Sequence, residues 1–128
     1  MEHVVVAYEP GQFAGWPANN GVWMWDGKEI LVGFSQGDYV EKKGHNLDET
    51  VIRSLLSRSL DGGQTWTVEQ PRHFVEQGQG LLPLSPPLRF THPDFAMRLV
   101  ATGYHGCDVP QGGFFISEDR GRSWRGPY

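Results

Sequence analysis

One octapeptide occurs twice in this chain. Ser59-Leu60-Asp61-Gly62-Gly63-Gln64-Thr65-Trp66 returns as Ser117-Glu118-Asp119-Arg120-Gly121-Arg122-Ser123-Trp124, so that a Ser, an Asp, a Gly, a hydroxyl residue and a Trp keep the same places. The pattern S-x-D-x-G-x-[ST]-W severely restricts the backbone. A short carboxylate accepts hydrogen bonds from the N–H groups of its own turn, and a Gly two residues later takes positive φ without strain. The hydroxyls add further local bonds, and the closing Trp carries an aromatic body into the core where the next strand starts. A single D-x-G is an ordinary turn. Two copies, each preceded by an apolar run, describe a repeat protein whose unit is a self-capping hairpin loop.

Composition agrees with a sheet. Seventeen Gly, nine Pro, five Trp and seven Phe are the mark of a turn-rich, aromatic-packed all-β chain. The 128 residues suffice for one domain with a core. A net charge of −4 without a basic stripe argues against nucleic acid, and no Lys/Arg cluster or long apolar run points to a membrane. Cys107 is the only cysteine, read as a small buried hydrophobe. The opening Met1-Glu2-His3-Val4 has no basic n-region and no long apolar h-region, so the sequence reads as soluble and without a signal peptide.

The two octapeptides resemble the Asp-box, or BNR, repeat of the sialidase superfamily of β-propellers. The resemblance implies an all-β fold of propeller blades, each a four-stranded antiparallel sheet with an Asp-box hairpin. Blade one, with an opening strand, spans 1–70, a connector 71–87, and blade two 88–128. The structural Asp-box residues are then Ser59, Asp61, Gly63, Thr65, Trp66, Ser117, Asp119, Gly121, Ser123 and Trp124. Relatives of this kind are six-bladed and frequently exported, so two blades imply either part of a longer ring or a ring completed by three copies, a homotrimer.

In chain order, Val4 to Tyr8 reads as an opening strand, Gly21 to Trp25 as strand-like, and Asp26-Gly27 as a hairpin turn into a buried strand Glu29 to Phe34. Ser35 to Glu49 reads as a long exposed loop. Thr50 to Ser59 reads as a half-buried strand, with a short helix over Leu47 to Leu56 as the alternative, and Trp66 to Glu69 as the outer strand. The segment Leu88 to Thr91 starts blade two. Phe95 to Thr102 and Gly113 to Ser117 are its next strands, separated by a polar loop Gly103 to Gly112.

Counting back from the octapeptides exposes a second match: His45-Asn46-Leu47-Asp48 and His105-Gly106-Cys107-Asp108 are both H-x-x-D. An imidazole with a carboxylate suits general acid/base chemistry or a divalent metal. Equally, each Asp caps its own turn and each His is a solvated loop residue. No metal or cofactor is assigned. By the resemblance, Asp48 lies near the place of the sialidase acid/base Asp, with His45 beside it as a second catalytic candidate. The Arg that binds the substrate carboxylate in that family is missing from the corresponding Gly15-Trp16-Pro17, and its Tyr nucleophile would come from later blades. Trp16, Asn19 and Asn20 form a candidate sugar platform, joined by His105 and Asp108; the other reading makes Trp16 a core anchor and Asn-Asn-Gly a turn. Trp23 and Trp25 are packing residues. The implied role is recognition or hydrolysis of a glycan in the complete ring; the alternative is a non-catalytic binding or scaffold propeller.

Overall fold

The computed structural model describes residues 3–71, 81–84, 87–101 and 112–128. It is an all-β chain of antiparallel sheets with a single helical turn among the described residues. The chain divides into two compact units, Met1–Gln70 and Pro71–Tyr128.

The first unit is one sheet. Its strands are β1 (Gln12–Gly15), β2 (Val22–Trp25), β3 (Glu29–Asp38), β4 (Arg53–Ser59) and β5 (Thr67–Glu69), with the helical turn α1 (Pro17–Asn20) between β1 and β2. β3 is the centre: β4 lies along one side of it, while β1 and β2 share the other side end to end. The sheet is thus four positions wide although it contains five strands. The Asp26-Gly27 turn forms as the sequence implies, with φ of 53° and 66°, and because Trp25 pairs with Glu29 the hairpin loop holds three residues, Asp26 to Lys28. β4 is a strand, and the helical alternative for Leu47 to Leu56 is not formed.

Two expectations for the first unit are corrected. Val4 to Tyr8 is not a strand; this segment instead offers the Val6 carbonyl to the Ser57 hydroxyl at 2.7 Å, and its β-branched residues Val4 and Val5 are exposed. The place beside the second half of β3 is filled by β1, because Phe13 and Ala14 pair with Gly37 and Gln36. Ser35 to Glu49 is not wholly an exposed loop. β3 continues to Asp38 with Ser35 and Gln36 buried, and Tyr39 bridges Leu47 to leave only the intervening residues as a loop. Polar composition hid this, since Ser, Gln and Gly lack the apolar alternation by which a strand is read.

In the second unit β6 (Ala96–Ala101) pairs with β7 (Gly112–Ser117), which makes a two-stranded sheet among the described residues rather than the four strands expected. The chain after Trp124 starts a further antiparallel partner of β7: Arg125 bridges Ile116, and Tyr128 exchanges both backbone bonds with Phe114 at 2.9 Å. Leu88 to Thr91 is not a strand. Arg89 leaves it to form a two-pronged pair with Glu118, at 2.9 and 2.8 Å, that ties this segment to the second octapeptide. The polar loop expected from Gly103 lies outside the described residues.

The core of the first unit includes Trp25, Leu31, Leu47 and Leu56, and that of the second includes Ala96, Phe115, Ile116 and Trp124. Among these apolar groups the first unit buries an ion network. Arg58, 6% exposed, gives Nη1 to Glu29 at 2.7 Å and Nε and Nη2 to the two oxygens of Glu69 at 2.7 and 3.1 Å. Burial alone would lower its pKa, but the two carboxylates outweigh that and raise it. The network fastens the three-residue strand β5 to the sheet.

Candidate functional site

Each octapeptide begins at the last residue of a strand. Ser59 closes β4 opposite Ile30, and Ser117 closes β7 opposite Ala96. From there the two loops make the same bonds. The Ser59 hydroxyl donates to Asp61 Oδ1 at 2.8 Å and accepts the Gly63 N–H at 2.8 Å; Ser117 does so with Asp119 and Gly121 at 2.7 and 2.8 Å. Asp61 Oδ1 accepts the N–H groups of Gln64 and Thr65, both at 2.9 Å, and Asp119 Oδ1 those of Arg122 and Ser123 at 3.0 and 2.9 Å. The Thr65 and Ser123 hydroxyls donate to the second oxygens at 2.6 and 2.5 Å. The indole N–H groups of Trp66 and Trp124 close each loop on the carbonyls of Gly63 and Gly121 at 2.9 and 3.0 Å.

Positive φ at Gly62 and Gly63 (77° and 94°) and at Arg120 and Gly121 (60° and 76°) aims these N–H groups inward. Arg120 carries a left-handed cost of about 1 kcal/mol that Gly62 does not. Its own contacts offset that cost, because Nε donates to Asp94 Oδ1 at 2.5 Å and the backbone N–H donates to the Asp94 carbonyl at 3.0 Å. With three kinds of donor on each carboxylate, the hydrogen bond from the Thr65 hydroxyl leads in holding Asp61 well below the usual carboxylate range. In Asp119 burial opposes a similar set led by Ser123, and the net shift is again downward. These carboxylates are fully engaged by their own loops, which gives them a structural role.

The residues with free chemistry lie at the other end of the first sheet. β1 ends at Gly15 opposite Ser35, and Trp16 follows with φ 58° and ψ 45°, a left-handed conformation unusual for a bulky residue. Pro17, which has no N–H to lose, then opens α1. The Trp16 ring lies 5.3 Å from Phe13 and 5.1 Å from His45, the latter edge to face at 76°. Three rings from β1, the start of α1 and the loop after β3 therefore form a row. Trp16 is half-buried and His45 exposed. The loop carrying His45 is anchored by Leu47, which is fully buried, and by the Asp48 N–H donating to the Asp38 carbonyl at 2.9 Å.

The sequence candidates divide clearly. His45 and Trp16 come together. Asn19 is exposed and adjoins them through its backbone bond to the Trp16 carbonyl at 3.1 Å. Asn20 does not face a ligand: it is 4% exposed, and its amide donates to the Trp16 carbonyl at 2.9 Å and to the Ser35 hydroxyl at 3.2 Å. The Asn-Asn-Gly stretch reads as a turn because its helical role depends on docking over Gly33, where a Cβ would stand 2.6 Å from the Asn20 carbonyl oxygen. Asp48 points back into its own turn, taking the Thr50 hydroxyl at 2.7 Å and N–H at 2.9 Å, and the hydroxyl bond leads in holding its pKa low. His105 and Asp108, like Cys107, lie outside the described residues. Trp25 is buried and Trp23 half-buried, alternating with the exposed Val22 and Met24.

Sequence reasoning passed over Phe13 as part of this row and Tyr39, whose hydroxyl accepts from Asn46 at 3.4 Å beside it. An aromatic spaced three residues from Trp16 was the available signal for Phe13. Among the described residues no group of three or more His, Cys, Asp or Glu is placed to hold a metal ion, and no helix is long and apolar enough to cross a membrane. No family model, curated protein or solved structure matches this chain.

Proposed function

We propose that this chain contributes blades to an Asp-box β-propeller of the sialidase-like type and that it recognises a glycan without cleaving it. The propeller reading is supported by the two octapeptides, which make equal bonds at the ends of the strands that lead into them. The glycan reading is carried by the Trp16–His45 contact. An indole ring held partly open beside an imidazole donor and acceptor offers a pyranose an apolar face and a polar edge together.

Binding is favoured over hydrolysis by the state of Asp48. A glycosidic acid needs a carboxyl whose pKa is raised. Thr50 holds this one down. Hydrolysis with Asp48 and His45 as the catalytic pair is therefore the weaker form of the proposal. A scaffold propeller with no glycan ligand is the second reading, and the burial of Asn20 favours it, because that amide supports α1 instead of meeting a sugar hydroxyl.

The test is isothermal titration of the chain against a panel of neutral and acidic oligosaccharides, run beside fluorogenic glycosides. Glycan binding that Trp16→Ala abolishes, without turnover, is the expected result. Binding unchanged by that substitution removes the assigned site, and no binding by any member of the panel favours the scaffold.

A further inference from the structure

Trp16 holds a backbone conformation that its sequence resists on two counts. A bulky side chain at φ 58° and ψ 45° is an outlier. The residue after it is Pro17, and a proline pushes the residue before it toward extended backbone. Strain of this kind persists only where the surrounding structure over-determines it.

Asn20 supplies that constraint. Its side-chain amide donates to the Trp16 carbonyl at 2.9 Å, beside the Asn19 N–H at 3.1 Å, and to the Ser35 hydroxyl at 3.2 Å. Ser35 is also the β3 residue that pairs with Gly15, on the amino side of Trp16. One buried amide thus ties the carbonyl side of the strained residue to the strand position that already fixes its other side, and φ and ψ of Trp16 are set from both ends. Residues 33, 35 and 37 of β3 alternate onto one face. Asn20 docks over Gly33, and Leu47, which anchors the His45 loop, docks over Gly37, where a Cβ would stand 2.5 Å from its Cδ1. The segments that carry Trp16 and His45 are therefore seated on the same face of one strand, and the conformation of Trp16 decides whether its indole meets the imidazole.

We propose that Asn20 is the positioning residue of the ring site: it touches no ligand and acts through Trp16, holding the left-handed backbone so that the indole stands against His45 before a glycan arrives. Without the amide, Trp16 relaxes toward the extended backbone that Pro17 favours, and the ring contact is lost. The site is pre-organised, so a ligand does not have to order it. The affinity consequence rests on the glycan reading, whereas the conformation of Trp16 is measured without ligand, so the two fail separately.

Nuclear magnetic resonance of the whole chain tests it. Asn20→Asp keeps the shape of the side chain and replaces its donor by an oxygen, and Asn20→Ala removes the group altogether. In both variants the backbone shifts of Trp16, which report φ, are expected to leave the left-handed range and the His45 protons to lose their ring-current shifts, while the amide shifts of the Ser59–Trp66 loop stay as they are. Glycan affinity falls roughly tenfold if about one molecule in ten keeps the wild-type conformation. Because Asn20 is 4% exposed, a second comparison avoids changing it. With the amide in place, Trp16→Gly should be more stable than Trp16→Ala by about fivefold or more in the unfolding equilibrium, since Gly takes positive φ without strain. Ser35→Ala, which frees one end of the bridge, should narrow that difference. Trp16 that stays left-handed against His45 in either Asn20 variant, or equal stability of Trp16→Gly and Trp16→Ala, overturns the proposal.

Discussion

The Asp61 carboxylate takes both the backbone N–H and the hydroxyl of Thr65, at 2.9 and 2.6 Å, and Asp119 repeats the arrangement with Ser123 at 2.9 and 2.5 Å. A carboxylate that replaces water for this many donors is a structural anion, and its removal leaves those donors to find other partners. Asp119→Ala is expected to cost about 1–3 kcal/mol, and Asp61→Ala to act in the same direction by less, since its loop is more exposed. Both pKa values are depressed, so the stabilisation is fully present above the ordinary carboxylate range and is lost as pH falls through the folded values. Urea unfolding at neutral and acid pH checks both: the wild type should lose stability on acidification, and the double alanine variant should lose less.

Arg58 serves the first sheet differently. It sits 6% exposed between Glu29, equally enclosed, and Glu69, which is partly open to water. Removing the guanidinium leaves the Glu29 carboxylate buried without its partner, so Arg58→Ala is expected to cost about 3 kcal/mol. Glu69→Gln should cost far less, because this side chain is one third exposed to water. Hydrogen exchange separates the two effects: the arginine variant loosens β3 and β4 together, whereas the glutamine variant frays β5 alone.

Gly33 offers a test at a distance from the rings. It lies on β3 under α1, its N–H donates to the Gly21 carbonyl at 2.8 Å, and an added Cβ would meet backbone rather than a movable side-chain end. Gly33→Ala is therefore expected to cost about 2 kcal/mol by overpacking and to displace α1 with Trp16 at its start. The Trp16–His45 ring contact should be lost with it, visible as loss of ring-current shifts on the His45 protons. Retention of those shifts would show that α1 is not what positions Trp16.

Much of this was legible in the sequence, and the boundary has a physical basis. The octapeptides, the Asp26-Gly27 hairpin and the strands leading into each loop are local: the residues that determine them are within a few positions of one another. What was missed depends on register. The continuation of β3 through Ser35 and Gln36, and the fate of Asn20, follow from pairing with β1 and docking over Gly33, neither of which short-range patterning encodes. The Arg58 network is of the same kind, since Glu29, Arg58 and Glu69 meet only after three strands align. The equation of Val4 to Tyr8 with a strand failed for the opposite reason: its β-branched run is a strand pattern, but β1 and β2 already occupy the edge.

Asp48 remains the sharpest point at which the functional reading can be tried. Its Oδ1 accepts both the N–H and the hydroxyl of Thr50, and those bonds, the hydroxyl first, hold it below the ordinary range. At neutral pH it is ionised and has no proton to donate to a leaving oxygen. Thr50→Val removes the hydroxyl bond, so the Asp48 pKa, followed by carboxyl carbon chemical shift, is expected to rise toward the ordinary carboxylate range. Neither Thr50→Val nor Asp48→Asn should change turnover of glycosides, and Asp48→Asn should reduce glycan affinity much less than Trp16→Ala. Turnover that Asp48→Asn abolishes, or a bell-shaped pH profile whose alkaline limb moves with Thr50→Val, would instead make this carboxyl the proton donor of a hydrolase.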